Sequence, residues 1–275
     1  MKKYYLTIAA IFKNEGLFFR EWLEYHRLVG VEHFYLYNNG SSDDFRLLLE
    51  SYIQKGIVTL IDWPDRPGKL SDTAKYRWVH NIQIPAYEDA ISRSIQETKW
   101  LALIDIDEFL VPKLTETMKP LLEQYEVFPA VRLYWQVYGT SGVKELRPGQ
   151  LVIETFHRTG LPEEDLNSKF FKTLLQPEEY VRFSWPPHIA IYRNDEPDIV
   201  VNKFEAQINH YMTRSIQYFY DTKVNSRQGA LNEGMTENDI QFFLTVWNAI
   251  EDEEKAVMRF IPQLRERMKE FENLS

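Results

Sequence analysis

The chain has no cysteine among its 275 residues. This absence excludes disulfides, thiolate metal sites and a cysteine nucleophile, and it fits a reducing cytosol. No segment is long and apolar enough to cross a bilayer, so any role at a membrane would be performed from its surface. The short apolar run near the N-terminus is followed by Lys13, Asn14 and Glu15 instead of a small-residue cleavage site. We therefore interpret it as a first buried strand and not as a signal peptide.

Basic residues are outnumbered by acidic ones: the chain has 32 Lys and Arg residues and 41 Asp and Glu residues, which gives a net charge of −9. That balance argues against nucleic acid or an anionic membrane as the main partner, although an anionic substrate needs only a local basic pocket. Internal repeats and low-complexity linkers are absent, and 44% of the residues are hydrophobic, enough for a sizeable core. We expect one compact domain over residues 1–275.

Strand and helix patterns alternate from the first residues. The predicted strands are Tyr4–Phe12, His33–Tyr37, Ile57–Trp63, Leu101–Ile104 and Ala130–Val137, and the predicted helices between the first three are Leu17–Val29 and Phe45–Gln54. This alternation predicts βαβ units and an α/β fold around a mainly parallel sheet.

Other segments have a less regular pattern, and glycine and proline punctuate short strand-like pieces between residues 139 and 197. The predicted strands there and beyond are Leu151–Phe156, Phe170–Leu174, Tyr180–Ser184 and Ala206–Met212. The further predicted helices are Ala74–Thr98 with a break or kink at Pro85, Thr115–Tyr125, Thr213–Lys223, Asp239–Ala249 and Asp252–Phe271. Pro262 bends the last of these or opens a new helix.

A cluster of acids follows the apolar run from Trp100 to Ile104, which is typical of a strand buried on both faces. Asp105, Asp107 and Glu108 lie at its carboxyl end, where open α/β sheets bind ligands. If the extended conformation continues, Asp105 and Asp107 point to the same side and repel each other unless a cation or a proton lies between them. Oxygen ligands suit Mg²⁺ or Mn²⁺. The alternative is that these acids cap a helix or line a solvated loop.

Further motifs accompany this cluster in a particular order between about residue 5 and residue 230. They are Lys13-Asn14-Glu15, Glu21-Trp22-Leu23-Glu24-Tyr25-His26, the segment from Gly30 to Asn39 with Ser41, Ser42 and Asp43, Asn81 with Gln83, Ala86-Tyr87, Lys99-Trp100, Asp105-Ile106-Asp107-Glu108-Phe109, Lys169 with Lys172, His188, Asn209-His210-Tyr211, Arg214-Ser215, and Lys223 with Arg227. In this order they resemble the glycosyltransferases of the GT-A fold, most closely the family 92 group and its family-2-like bacterial relatives.

The resemblance implies a GT-A (Rossmann-like) α/β fold: a mixed, mainly parallel sheet flanked by helices, with C-terminal helices. Residues 1–112 would form the nucleotide-sugar-binding half, 113–230 the acceptor and catalytic half, and 231–275 a helical extension. The implied reaction is the inverting transfer of a hexose from a UDP-sugar, galactose or glucose being favoured, to a glycan or glycolipid acceptor. Together with the acidic, cysteine-free composition, this suggests a bacterial cytoplasmic enzyme of surface polysaccharide or lipopolysaccharide synthesis, at the inner face of the membrane if it associates with one.

The resemblance also implies roles for individual residues. Asp107 is the first choice as a direct ligand of Mn²⁺ or Mg²⁺, Asp105 would contact the metal or the donor ribose, and His210 would be the third protein ligand. A structural role for His210 is the alternative, and His188 is the competing histidine. The expected donor-binding residues are Asn14, Glu15, Asn39, Asp43, Asn81, Gln83, Tyr87, Asp105, Lys223 and Arg227, while Lys169 and Lys172 have no assigned role.

Several of these residues have equally ordinary explanations. Asn14 and Asp43 suit turn formation and helix capping, and Lys223 and Arg227 could be solvated charges instead of a lid over the diphosphate. Gln228 separates Arg227 from Gly229, where the family pattern has Arg followed directly by Gly.

Inversion requires a general base for the acceptor hydroxyl. Glu154 is the first candidate because we expect it to lie in a buried strand, where burial would raise its pKa. Asp165 is the second, beside Glu163 and Glu164. Trp135, Tyr138 and Trp185 could stack on sugar rings, although a place in the core explains each of them as well.

Two other functional classes stay open. A metal-dependent phosphotransferase or hydrolase could use Asp105 as its nucleophile, but no convincing Lys or Ser/Thr motif accompanies it. A catalytically silent carbohydrate-binding protein on the same scaffold is the second.

Overall fold

The strands and helices of the N-terminal half lie where the periodicity predicts them. In the computed structural model, which describes residues 2–64, 78–159, 170–185, 187–225, 236–248, 250–253 and 255–272, this half contains β1 Tyr4–Phe12, α1 Gly16–Leu28, β2 His33–Asn38, α2 Phe45–Gln54, β3 Val58–Asp62, α3 Ile84–Ser94 and β4 Thr98–Leu103. A π-helical turn, Val79–Gln83, leads directly into α3. Pro85 therefore does not break the helix, because it lies in the first turn of α3, where a missing N–H costs little.

The second half is more irregular. Its elements are β5 Glu108–Pro112, α4 Lys119–Leu122, β6 Ala130–Val137, α5 Val152–Thr155, β7 Arg158–Thr159, β8 Phe171–Leu175, β9 Tyr180–Trp185, β10 Ile189–Tyr192, β11 Ile199–Val200, β12 Ala206–His210, α6 Ile216–Tyr218, α7 Glu237–Thr245, β13 Ile250–Glu253 and α8 Ile261–Glu272. A second π-helical segment, Phe219–Asn225, continues α6.

Three of the sequence predictions need correction here, and one strand was not predicted. The run Leu151–Phe156 contains the helix α5 instead of a strand. The expected helix Thr115–Tyr125 shrinks to α4 and one 3₁₀ turn. The start of the expected helix Asp252–Phe271 belongs to β13, which pairs with β7, and Pro262 lies in the first turn of α8. Strand β5 was not predicted, because its apolar residues follow the acids without a turn signal.

The main sheet has nine strands within the described residues, in the order β3-β2-β1-β4-β8-β6-β12-β5, with β11 also beside β6. Strands β3, β2, β1 and β4 run parallel to one another. Strand β8 is antiparallel to both β4 and β6, while β12 is parallel to β6 and antiparallel to β5. The predicted mixed, mainly parallel sheet flanked by helices is therefore confirmed.

The sheet is covered on both faces. One apolar cluster combines residues of α1 and α2 with the sheet, including Trp22 and Leu49, and the other combines α3 with the sheet through Ala86 and Ile91. The C-terminal helix α8 approaches α1, since Arg267 lies 3.7 Å from Glu24. Among the described residues there is no helix that combines the length and the apolar character needed to span a membrane.

Three side chains of helix α1 form hydrogen bonds with the backbone of β5, the strand that follows the acids. The Trp22 indole N–H donates to the Glu108 carbonyl (2.8 Å), the Tyr25 hydroxyl donates to the Leu110 carbonyl (2.9 Å), and the Leu110 N–H donates to His26 Nε2 (3.2 Å). Burial lowers the pKa of His26 to about 3, so the ring stays neutral and can accept this bond. These three side chains bond backbone groups of β5, which pairs with β12.

We expect Tyr25→Phe to lower the free energy of unfolding by about 1–2 kcal/mol, because it leaves the buried Leu110 carbonyl without this donor while retaining the ring. Urea unfolding at neutral pH measures the change. Tyr134→Phe, at a half-exposed position of β6, is the control and should cost less than about 0.5 kcal/mol. Equal effects of the two substitutions would contradict a structural role for the Tyr25 hydroxyl.

Candidate active site

The acids between β4 and β5 do not form a continuous extended segment. Ile106 and Asp107 form a turn after Asp105, and β5 begins at Glu108. The condition for Asp105 and Asp107 to point to the same side, an extended conformation that continues past β4, is therefore not met. The turn directs the two carboxylates to different cationic partners.

Asp105 and Glu108 face Lys172 on β8. The Lys172 ammonium lies 2.6 Å from Asp105 Oδ2 and 3.3 Å from Glu108 Oε2, and the Asp105 N–H donates to that same Glu108 oxygen (3.0 Å). Burial lowers the pKa of a lysine, but the carboxylates of Asp105 and Glu108 hold that of Lys172 well above its usual value. Burial raises the pKa of Glu108 to about 7, against the positive charge of Lys172.

Asp107 faces a second set of groups. His210 Nε2 lies 3.6 Å from its Oδ1 atom and Lys223 Nζ lies 3.4 Å from its Oδ2 atom. The Asp107 carbonyl also accepts the Tyr211 N–H at 2.8 Å, which holds the turn against the end of β12. Burial would raise the pKa of Asp107, but Lys223 and the His210 ring hold it well below its usual range.

His210, and not His188, is the histidine that contacts the acids. Its ring packs against Trp135 at a centroid distance of 4.2 Å. His188 lies farther from the same indole, with ring centroids 6.4 Å apart, and it also approaches Phe171. Burial lowers the pKa of His188 to about 3, with Lys172 adding to the effect. The two histidines that the sequence left in competition are thus separated by their surroundings.

A buried ion pair between Arg214 and Glu15 contacts the backbone of the turn. The Arg214 guanidinium donates to Glu15 Oε2 (2.5 Å) and to the Ile106 carbonyl (3.1 Å), and the Tyr218 hydroxyl donates to the other Glu15 oxygen (2.7 Å). The guanidinium also lies 3.5 Å from the centroid of the Phe18 ring. In spite of burial, the Glu15 carboxylate raises the pKa of Arg214. Helix α1, the acidic turn and the segment that leads to Lys223 are joined at this pair.

The polar residues after β1 and β2 bond one another. Asn14 Oδ1 accepts the Ser42 N–H at 2.7 Å, and Asp43 Oδ2 accepts the Gly16 N–H at 2.8 Å at the start of α1. Asn39 donates to the Trp63 carbonyl and accepts from the Trp78 indole N–H. These contacts join separate segments that follow β1, β2 and β3, and a donor-binding role for Asn14, Asn39 and Asp43 stays a prediction.

The residues ahead of β4 connect to the acids. Gln83 donates to the Tyr87 hydroxyl at 3.4 Å, and this hydroxyl donates to Asp105 Oδ1 at 3.3 Å. Asn81 is half-buried on the π-helical turn. The structure therefore brings Gln83 and Tyr87 to the site through Asp105.

Of the two candidates for the general base, only Glu154 lies within the described residues. Glu154 lies on α5 instead of in a buried strand, its side chain is 42% exposed, and it pairs with Arg265 of α8, so the argument from burial is wrong. Asp165, with Glu163 and Glu164, lies outside the described residues, as do Lys169 and Arg227.

A divalent cation is compatible with the Asp107 end of this site. Across the described ranges, no three His, Asp or Glu side chains are arranged to hold a metal ion. Asp107 nevertheless already has the ammonium of Lys223 against it, which shows that the position attracts a cation. In the same part of the structure Glu108 Oε1 is buried without a hydrogen-bond partner and lies 3.9 Å from His210 Nε2. Asp107 and His210 therefore supply ligand types that Mn²⁺ or Mg²⁺ accepts, although the described residues do not form a completed metal site.

Sequence reasoning gave Lys172 no role and did not select Glu108 or Arg214. The available signal was a lysine inside the apolar run Phe171–Leu175, since a charge in a buried strand is almost always paired. For Arg214 there was only its place in the Arg214-Ser215 motif.

The comparisons with known proteins show the family to which the chain belongs. The model of glycosyltransferase family 92 matches residues 2–256, and the chain therefore belongs to that family. A family 92 protein of Ricinus communis is 26% identical over 182 residues, covering 64% of this chain and 29% of that protein. The galactan beta-1,4-galactosyltransferase GALS3 of Arabidopsis thaliana is 30% identical over 112 residues, covering 40% of this chain and 21% of that protein. The chain thus spans less than a third of either relative.

Among solved structures, the chain partly resembles S. aureus TarS 1–349, with a TM-score of 0.42 and 11% identity, covering 78% of this chain and 61% of that chain. Glucosyl-3-phosphoglycerate synthase from Mycobacterium tuberculosis, in complex with Mn²⁺, UDP and glucosyl-3-phosphoglycerate, has a TM-score of 0.37 and 14% identity, covering 67% of this chain and 61% of that chain.

We expect Arg214→Met to destabilise the protein by about 3–5 kcal/mol, because it leaves the Glu15 carboxylate buried without its cation. Glu15→Gln in addition should recover part of that loss, because the double variant no longer has an unpaired charge. Chemical unfolding of the wild type, both single variants and the double variant measures the coupling. Additive losses would show that the two side chains do not stabilise each other.

Proposed function

We propose that the chain transfers a hexose, galactose or glucose, from a UDP-sugar to a glycan or glycolipid acceptor with inversion. The observation that carries the proposal is the cluster of Asp107, His210 and Lys223 in a chain of family 92. The similarity to a galactan galactosyltransferase supports a hexose as the transferred sugar. Family membership also favours this reaction over a phosphotransferase.

The chemistry required is stabilisation of the leaving diphosphate. In our proposal Asp107 and His210 hold Mn²⁺ or Mg²⁺, which supplies a Lewis acid for the negative charge on the leaving group. Lys223, already in this cluster, would pair with a diphosphate oxygen once it releases Asp107, and we include Arg227 in the same role. A cation and a lysine around one leaving group agree with the electrostatic demand of the reaction.

Asp105, Tyr87 and Gln83 are the proposed contacts to the donor nucleoside. Asp105 is 30% exposed, so it can accept a hydrogen bond from a ribose hydroxyl while Lys172 neutralises its other oxygen. Asn14, Glu15, Asn39, Asp43 and Asn81 complete the proposed donor set, Glu15 by holding Arg214 and not by direct contact.

The general base has two candidates. Asp165 is proposed from the sequence pattern. Glu154 enters as a half-exposed carboxylate whose pair with Arg265 must open before it can accept a proton. Synthesis of surface polysaccharide at the cytoplasmic face of a membrane, with peripheral association, is the proposed context.

The test is nucleotide release from a panel of UDP-hexoses with Mn²⁺ and candidate glycan acceptors. We expect Asp107→Asn to lower kcat/KM by about 100-fold or more, because the main ligand of the cation loses its charge. Asp195→Asn is the matched control on an exposed turn and should retain full activity.

Calorimetry with UDP and Mn²⁺ accompanies the assay. Full activity of Asp107→Asn would exclude this aspartate as the metal ligand. Binding of UDP-hexoses without any turnover over the whole acceptor panel would favour a carbohydrate-binding protein, and absence of nucleotide binding would reject the transferase.

A further inference from the structure

Lys172 is the most deeply buried cation of the acidic cluster. Its side chain is 2% exposed, and its two carboxylate partners are Asp105 at 2.6 Å and Glu108 at 3.3 Å. Glu108 is fully buried, and its Oε2 atom also accepts the Asp105 N–H. Lys172, Asp105 and Glu108 thus form a closed triangle in which each member contacts the other two.

The position of Lys172 is set by the sheet. It lies within β8, paired with Leu133 of β6, and its ammonium is 5.8 Å from the centroid of the Trp135 ring. Lys223, the partner of Asp107, lies on a π-helical segment and is 16% exposed. An entering cation can therefore displace Lys223, whereas displacement of Lys172 would require a buried ammonium to leave a strand in the middle of the sheet.

Lys172 pairs with two of the three carboxylates, Asp105 and Glu108, and Lys223 pairs with the third, Asp107. We propose that Lys172 is a positioning residue, an internal cation that neutralises Asp105 and Glu108 and so confines the external divalent cation to Asp107 and His210. This inference rests on the proposed function. It differs from the simplest interpretation of the Asp105-Ile106-Asp107 motif, in which both aspartates would share one metal ion.

The physical reason is electrostatic. A divalent cation bound to Asp105 would lie close to the fixed ammonium of Lys172, and repulsion between them in a buried site is large. At Asp107 the competing charge belongs to a side chain that can withdraw. Asp105 keeps Oδ1 available to the Tyr87 hydroxyl or to a ligand hydroxyl.

Mn²⁺ binding to the whole chain, measured by electron paramagnetic resonance of the free ion with and without UDP, tests the proposal. We expect Asp107→Asn to weaken Mn²⁺ binding by about tenfold or more, and Asp105→Asn to change it by less than about threefold. Lys172→Met combined with Asp107→Asn should bind Mn²⁺ about tenfold more tightly than Asp107→Asn alone, because Asp105 and Glu108 are then free to hold the ion.

Two controls separate position from general structure. Lys172→Arg in the Asp107→Asn background retains the internal charge and should not restore binding, and neither should Lys99→Met, which removes a lysine from β4. Thermal unfolding establishes that each variant is folded. If the Lys172→Met variants do not fold, the comparison of Asp105→Asn with Asp107→Asn still tests whether the divalent cation is confined to Asp107.

The outcomes are distinct. Equal loss of Mn²⁺ binding in Asp105→Asn and Asp107→Asn would overturn the role of Lys172 while leaving a metal-dependent transferase intact. A folded Lys172→Met/Asp107→Asn variant no better than Asp107→Asn would also overturn it. A wild-type chain that binds no Mn²⁺ in the presence of UDP would overturn the metal site of the proposed function, and the role of Lys172 with it.

Discussion

The packing of three carboxylates into one buried turn is the constraint on which the rest of this site depends. Asp105, Asp107 and Glu108 cannot be ionised together in a low-dielectric environment unless cations lie beside them. Those cations come from distant parts of the chain, with Lys172 on β8 and Lys223 after β12. The order of the strands, with β8 next to β4 and β12 next to β5, is what brings them there. Charge balance at the site therefore depends on the topology of the sheet.

Helix α1 shows how a motif that resembles a functional signature can be structural. In the motif from Glu21 to His26, the Trp22 and His26 side chains bond the backbone of β5 and not the carboxylates of the acids. Glu21 accepts the first two N–H groups of α5, and burial raises its pKa to about 7. Trp22 and His26 hold the strand that begins at Glu108, so they act on the site through the backbone, whereas Glu21 holds α5.

The agreement between the predicted and the observed positions of the site residues varies from residue to residue. Tyr87, Asp107, His210 and Lys223 were predicted from motifs and do come together around the acidic turn. Asp107 and His210 lie at strand ends, Tyr87 lies on the helix that leads into β4, and Lys223 lies on the π-helical segment that continues α6. Glu154 was misjudged because its apolar neighbours suit a buried helix turn as well as a strand, and the period of a short run does not distinguish the two. Lys172 was visible as a charge in an apolar strand, but its partners lie 64 and 67 residues away in sequence.

The sequence by itself determined the α/β class, the boundaries of the first strands and helices, the membership of family 92 and the place of the acids at the carboxyl end of β4. These follow from local periodicity and from motif order, which a linear chain displays directly. Only the tertiary structure decided which cation each acid receives, that His210 and not His188 contacts Asp107, and that Arg214 joins Glu15 to the turn by donating to the Ile106 carbonyl. Such pairings depend on strand order and on burial, and neither is a local property of the chain.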